Sequence, residues 1–142
     1  MSTERIATVR PVTDEEANQR IATIFADIKR TKNIDFVPNF WRTLATSPEL
    51  LDSVWTTLKR AMHPESTGRQ SKLDPRTREI IALAVSATNS CDYCINSHTA
   101  ALIKLGIDPE TLGEIMAIVG LFNMTNSLAS GYQILPDVLP RQ

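Results

Sequence analysis

Cys91 and Cys94 are the only two cysteines of the chain, and with Asp92 and Tyr93 between them they form a C-x-x-C. His98, one of two histidines, follows Cys94 at i+4. On a helix the three side chains share one face. A disulfide needs Cα atoms about 4.4–6.8 Å apart, and positions i and i+3 of a helix meet that. Such a pair cycles between dithiol and disulfide with little backbone movement. At a helix start, unpaired N–H groups and the macrodipole also favour a thiolate, the form that acts as a nucleophile. A histidine one turn on can take the proton of the nearer thiol, Cys94. These residues describe a redox site.

Glu79 is the candidate fourth member. Along one continuous helix it would stand about 18 Å from Cys91, out of reach. Thr88, Asn89 and Ser90 favour caps and turns, so the helix is expected to break there. If the two segments fold back as an antiparallel hairpin, residues equidistant from the turn become neighbours. The midpoint of Glu79 and His98 falls between Thr88 and Asn89. Glu79 can then hold the imidazole or pass a proton through it, completing a nucleophile–base–orienter set.

Blander readings compete. Two cysteines can be an inert buried pair. A structural zinc site wants four ligands, and His63, the only other histidine, belongs to a separate loop. Glu79 by itself reads as a surface carboxylate paired with Arg76 one turn back. No metal or cofactor is expected.

The elements that must position this site read as helices separated by start signals. Thr13-Asp14-Glu15-Glu16 has the form of a capping box, with Ile21, Ile24, Phe25 and Ile28 following at helical spacing, which predicts a helix over Thr13 to Lys32. Lys29, Arg30 and Lys32 suit its C-terminus. A shorter helix is expected over Phe40 to Ala45. Ser47-Pro48 then caps and starts a third, with Leu51, Val54, Trp55, Leu58 and Met62 as its apolar stripe. His63-Pro64 ends it, and Pro64 to Lys72 reads as a polar loop. Asp74-Pro75 opens the next helix, whose run Ile80 to Val85 is apolar on every side and therefore expected to be buried. Ser90 or Asn89 would cap a helix from Cys91 to Leu105, closed by Gly106. Its stripe continues through Ala101, Leu102 and Leu105, so the cysteines and His98 are expected to face inward, in a pocket. Asp108-Pro109 opens a last helix with Leu112, Ile115, Met116, Val119 and Phe122 on one face. Leu135 to Gln142 should lie extended on the surface or against a partner, and Trp41 and Trp55 are candidates for exposed interface. With no legible strand or repeat, the chain reads as all-α.

At 142 residues the chain suits one domain, 1–142, with a real core. Its 42% hydrophobic and 22% charged content is ordinary for a soluble protein. A net charge of -1 predicts no general attraction to nucleic acid or anionic membrane. Met1 to Arg10 lacks the apolar core of a signal peptide, and no run approaches ~18 apolar residues, so neither export nor a membrane span is expected. The expected compartment is the cytoplasm, where a C-x-x-C is catalytic or metal-binding rather than structural.

The set Glu79, Cys91-x-x-Cys94-x-x-x-His98 resembles the active-site motif of alkylhydroperoxidase D-like proteins, within the carboxymuconolactone decarboxylase superfamily. Val37-Pro38-Asn39-Phe40 through Leu44 to Leu51, Arg78 to Ser86, and His98-Thr99-Ala100 leading to Leu105-Gly106 resemble family segments as well. The resemblance thus covers roughly Val37 to Gly106, about half the chain, within an expected motif core of about 37–122. The resemblance implies a multihelical fold with the C-x-x-C at the N-terminus of a helix in a hairpin. It also implies a homo-oligomer (dimer, trimer or hexamer) and peroxidase or disulfide-reductase chemistry. Its motif carries over to Glu79, Cys91, Cys94 and His98. The best-known members carry a second histidine just before the second cysteine, where this chain has Tyr93, a possible lining residue of the site. The decarboxylase branch lacks the cysteine pair, which sets lactone decarboxylation aside.

The expected activity is a thiol-dependent peroxidase. Cys94, deprotonated through His98 and Glu79, attacks a hydroperoxide and becomes a sulfenic acid, and Cys91 condenses with it. An external dithiol, lipoyl- or thioredoxin-like, restores the pair. Cys91, nearer the helix end, is the sulfur expected to meet that reductant, and swapped roles are compatible with the spacing. The alternatives are a disulfide reductase or redox adaptor that uses the dithiol without peroxide, and a non-enzymatic helical sensor. A thioredoxin fold is disfavoured, because no βαβ pattern surrounds the C-x-x-C.

Overall fold

Proline-led starts set three of the six α-helices: Pro48, Pro75 and Pro109 each occupy the first helical turn. The structure, a computed structural model, describes residues 8–140. Most of Met1 to Arg10 and the end of the tail at Gln142 lie outside the described residues. In chain order the helices are α1 (Gln19–Lys32), α2 (Asn39–Leu44), α3 (Pro48–Met62), α4 (Pro75–Thr88), α5 (Asp92–Lys104) and α6 (Pro109–Gly131). A single 3-10 turn, Pro64–Thr67, interrupts the segment read as loop. No strand occurs among the described residues, so the all-α reading holds. The chain divides into two compact units, Met1–Ser71 and Lys72–Gln142.

The first unit holds α1, α2 and α3. Ile21, Ile24, Phe25 and Ile28 of α1 pack with Val37, Trp41, Ala45, Leu51 and Trp55 in one core. Trp41 and Trp55 are each 3% exposed, with ring centroids 5.1 Å apart at 81°. They are core anchors rather than the exposed interface expected from sequence, because α1 closes over them. Each large side chain buried this way stabilises the fold by roughly 1.5–3 kcal/mol. The Trp55 indole N–H, which burial would otherwise orphan, donates to Asp27 Oδ2 at 2.8 Å. Lys59 Nζ donates to the same carboxylate at 2.9 Å. Burial pushes the Asp27 carboxyl up, but the Lys59 and Trp55 hydrogen bonds outweigh it and hold its pKa below the usual range.

Two expectations for this unit need correction. The capping box forms, with Thr13 N donating to Glu16 Oε2 at 3.1 Å and Glu16 N to Thr13 Oγ1 at 3.3 Å. It closes a separate turn rather than starting α1. Arg42 ties that turn down by donating to both Asp14 carboxylate oxygens and to the Val12 carbonyl. The helix begins six residues later, capped by Asn18, whose Oδ1 accepts from Ile21 N at 3.0 Å. Ser47 stands at the N-cap of α3 but its side chain makes no cap hydrogen bond, so Pro48 supplies the start signal.

In the second unit, Asp74 and Asp108 cap α4 and α6 as expected, accepting from Thr77 N at 3.0 Å and Thr111 N at 2.7 Å. Helices α4 and α5 form the hairpin. Arg76, near the start of α4, donates from Nη2 to the Leu105 carbonyl at the far end of α5, 2.8 Å away, instead of pairing with Glu79. Gly106 takes φ +83°, where a side chain is strained, and lets the chain turn beside that guanidinium. The core here is small: Leu83, Leu102 and Ile115, with Ile80, Ile95, Ile107, Leu112 and Val119 packed around them.

The α4 run expected to be buried on every side is not. Leu83 is sealed, but Ile81 and Val85 are 48% and 55% exposed, since α5 and α6 cover only part of α4. Along α6, Met116, Ile118, Leu121, Phe122, Met124 and Leu128 are exposed, and the tail carries Leu135, Val138 and Leu139 outward. Although no unbroken apolar run marks it, an 18-residue window of α6 has a mean hydropathy of 1.2, and α6 is, by length and composition alone, long and apolar enough to cross a membrane.

Candidate active site

The cysteine pair sits where α4 hands over to α5. Helix α4 ends at Thr88, and Ser90 adopts φ +56° in the left-handed region. Ser90 therefore links the helices instead of capping the second. The Cys91 N–H returns to the Ser86 carbonyl at 3.0 Å, and Ser86, itself buried, donates its hydroxyl to Ala82 O at 2.6 Å. Cys91 becomes the N-cap of α5: its Sγ accepts the Cys94 N–H at 3.3 Å, the place expected for Ser90 or Asn89. Cys91 and Cys94 are joined as a disulfide with Cα atoms 5.3 Å apart, inside the range the bond requires.

Across the hairpin, His98 Nδ1 and Glu79 Oε2 lie 2.7 Å apart. The two side chains are mostly shielded from water, at 26% and 17% exposure. With the carboxylate accepting, Nδ1 carries the proton and Nε2 is left with its lone pair. The fold thus brings together Glu79, Cys91, Cys94 and His98 from two helices. Cys91, Cys94 and His98 are half-buried and Tyr93 is exposed, so the site opens to solvent at the hairpin end rather than facing the core. A groove of about 740 Å³ lies in the first unit, lined by Asp27, Asp52, Trp55 and Lys59 among others, and the motif residues do not line it.

One contributor escaped the sequence reading. Asn123 of α6 donates Nδ2 to Thr88 Oγ1 at 3.0 Å, pinning the end of α4 just before the cysteines. An amide on an otherwise apolar helix was the available signal, but its partner depends on how α6 crosses α4.

The Carboxymuconolactone decarboxylase family profile matches residues 48–135, most of the chain. The chain belongs to that family. A solved structure of the alkylhydroperoxidase AhpD core from Rhodospirillum rubrum superposes with a TM-score of 0.85, at 43% identity over 94% of this chain and 96% of that one. Membership and the solved relative agree with the all-helical fold. Among curated family relatives, an alkyl hydroperoxide reductase of Mycobacterium tuberculosis is 27% identical over 109 residues, 77% of this chain. The alkyl hydroperoxide reductase AhpD of Streptomyces griseus is 42% identical over 59 residues. The matches span 29% and 33% of those relatives' own lengths.

Proposed function

We propose that the protein is a thiol-dependent peroxidase that reduces organic hydroperoxides through the Cys91–Cys94 pair. The observation that carries this reading is the 2.7 Å link between Glu79 and His98, one turn from a half-buried disulfide. Similarity to proteins described as alkylhydroperoxidases supports it. Glu79 orients the imidazole so that Nε2 takes the Cys94 thiol proton, directly or through one water. The Cys94 thiolate attacks the near peroxide oxygen, the O–O bond breaks, and an alcohol leaves after protonation from His98. Cys94 is then a sulfenic acid. Cys91 attacks that sulfur, water departs, and the disulfide forms. An external dithiol, lipoyl- or thioredoxin-like, returns the pair to the dithiol while becoming a disulfide itself. We take the working compartment to be the cytoplasm, whose thiol pool can sustain that step.

The same proposal includes self-association. The residues Ile118, Leu121, Phe122 and Leu128 leave apolar side chains exposed along one helix, a feature that suits an interaction surface. A second copy fits it better than lipid does. Helix α6 already packs Leu112, Ile115 and Val119 against the α4–α5 core, and Asn123 bonds Thr88.

Peroxide consumption in the presence of excess dihydrolipoamide tests the activity. Wild type should turn over many equivalents, and Cys94→Ser should abolish turnover. A wild type that reduces small disulfides but not hydroperoxide would make it a disulfide reductase, and a Cys94→Ser variant retaining turnover would overturn the mechanism.

A further inference from the structure

The two cysteines are served by different devices. Cys91 Sγ accepts a peptide N–H as the N-cap of α5, a 13-residue helix whose macrodipole begins at that sulfur. Cys94, three residues into the helix, precedes His98 by one turn, and His98 is held by Glu79. Position along the helix makes Cys91 the sulfur expected to meet the reductant. The hydrogen bond leads elsewhere, because in thiol–disulfide exchange the better-stabilised thiolate leaves faster.

We propose that Cys91 is the standing thiolate of the dithiol form and the leaving group of the reductive half-reaction, so that the external thiol becomes attached to Cys94. This rests on the dithiol chemistry proposed above, though not on peroxide being the substrate. The attacking thiolate forms a bond to Cys94 Sγ while the Cys91–Cys94 bond breaks. The electron pair departs on Cys91 Sγ, facing the Cys94 N–H. The second thiol of the reductant then attacks the reductant's own sulfur in the mixed disulfide and closes the reductant's disulfide. Cys94 departs and is protonated by His98 in its imidazolium form. The reductant loses two electrons and the cysteine pair gains two. Residue burial does not separate the two cysteines, since both are half-buried.

The charges around Cys91 are few. Helix α4 carries no ionisable group after Glu79, and α6 none after Glu114. Within α5 the side chains other than cysteine that can carry charge are Asp92, Tyr93, His98 and Lys104, and Asp92 in the first turn is the charged neighbour. Its exposed carboxylate opposes a thiolate at Cys91, so Asp92→Asn should make Cys91 more reactive at low pH.

Oxidised wild-type protein is mixed with reduced glutathione, quenched with acid, capped with N-ethylmaleimide and mapped by peptide mass. Glutathione should sit on Cys94 and maleimide on Cys91, by about tenfold over the reverse. Glutathione mainly on Cys91, or shared equally, overturns the assignment. Iodoacetamide alkylation across pH supplies a second measurement. Cys91 in the Cys94→Ser variant should react about tenfold faster at pH 6 than Cys94 in Cys91→Ser. Adding Glu79→Gln should move the Cys94 profile and leave that of Cys91 in place. Equal reactivity, or equal movement of both profiles, sinks the proposal. If wild type consumes no peroxide yet shows this asymmetry, the peroxidase reading fails and the division of roles stands.

Discussion

The two units of this chain are built on opposite plans. The first encloses nine buried apolar residues, a tryptophan pair among them, and holds the Trp55 indole and Lys59 on one carboxylate, Asp27. The second has, among the described residues, only Leu83, Leu102 and Ile115 as buried apolar side chains, leaves much of α6 uncovered and carries the cysteines. The contrast separates what a core stabilises from what a site requires. Burial of large rings rigidifies the first unit. In the second, a hairpin closed at one end by Arg76 and Leu105, and pinned at the other by Asn123 and Thr88, aligns four side chains near solvent. A thiol that must meet a peroxide and then a reductant cannot be sealed away.

The largest effects should fall on the two sides of that contrast. Trp55→Ala is expected to cost about 3–5 kcal/mol in chemical denaturation, by emptying the ring site and removing one of the hydrogen bonds to Asp27. Phe122→Ser should change monomer stability by no more than about 0.5 kcal/mol, while weakening self-association in sedimentation velocity. Equal destabilisation by the two substitutions would erase the distinction between the units.

Glu79→Gln should keep the thermal midpoint near that of wild type and lower hydroperoxide turnover about 100-fold, since the amide lacks the carboxylate that supports proton transfer through His98. A large stability loss with intact turnover would make the Glu79–His98 link a structural staple instead. A smaller effect, about 1 kcal/mol, is expected for Asn123→Ala, because one hydrogen bond to Thr88 is lost. Hydrogen exchange should then quicken at Cys91 and Asp92 before it does in the first unit.

The pH dependence sharpens the comparison from the other side. Asp27 has a folded-state pKa below its unfolded one, so through the carboxylate range the folded state binds fewer protons than the unfolded state. The stability it contributes is present above the ordinary carboxylate range and is lost as pH drops through the folded value. The stability of wild type should therefore fall below about pH 4. Asp27→Asn should flatten that dependence, and an unchanged slope would remove Asp27 as its source.

Much of the site was legible because helical spacing and hairpin symmetry are local rules. The i, i+3 and i+4 offsets align Cys91, Cys94 and His98 on any helix, and a break after Thr88 puts Glu79 opposite His98 in any tight hairpin. The Asp-Pro starts at Asp74 and Asp108 were equally local. The failures have the opposite character. Whether Trp41 and Trp55 are buried depends on α1 closing over them. That Ile81 and Val85 stay exposed depends on which sides of α4 the helices α5 and α6 occupy. The start of α1 moved from Thr13 to Gln19 because Arg42, distant in sequence, secures the capping-box turn separately.

By itself the sequence determined the helical class, most helix ends and the membership of the four-residue motif, since each follows from interactions within one or two turns of chain. Only the tertiary structure decided that Cys91, rather than Ser90, caps α5, that His98 turns Nδ1 to Glu79, and that the pair lies half-open at the hairpin end. Those outcomes hinge on the left-handed turn at Ser90 and on contacts across helices, where side chains far apart in sequence compete for one position in space.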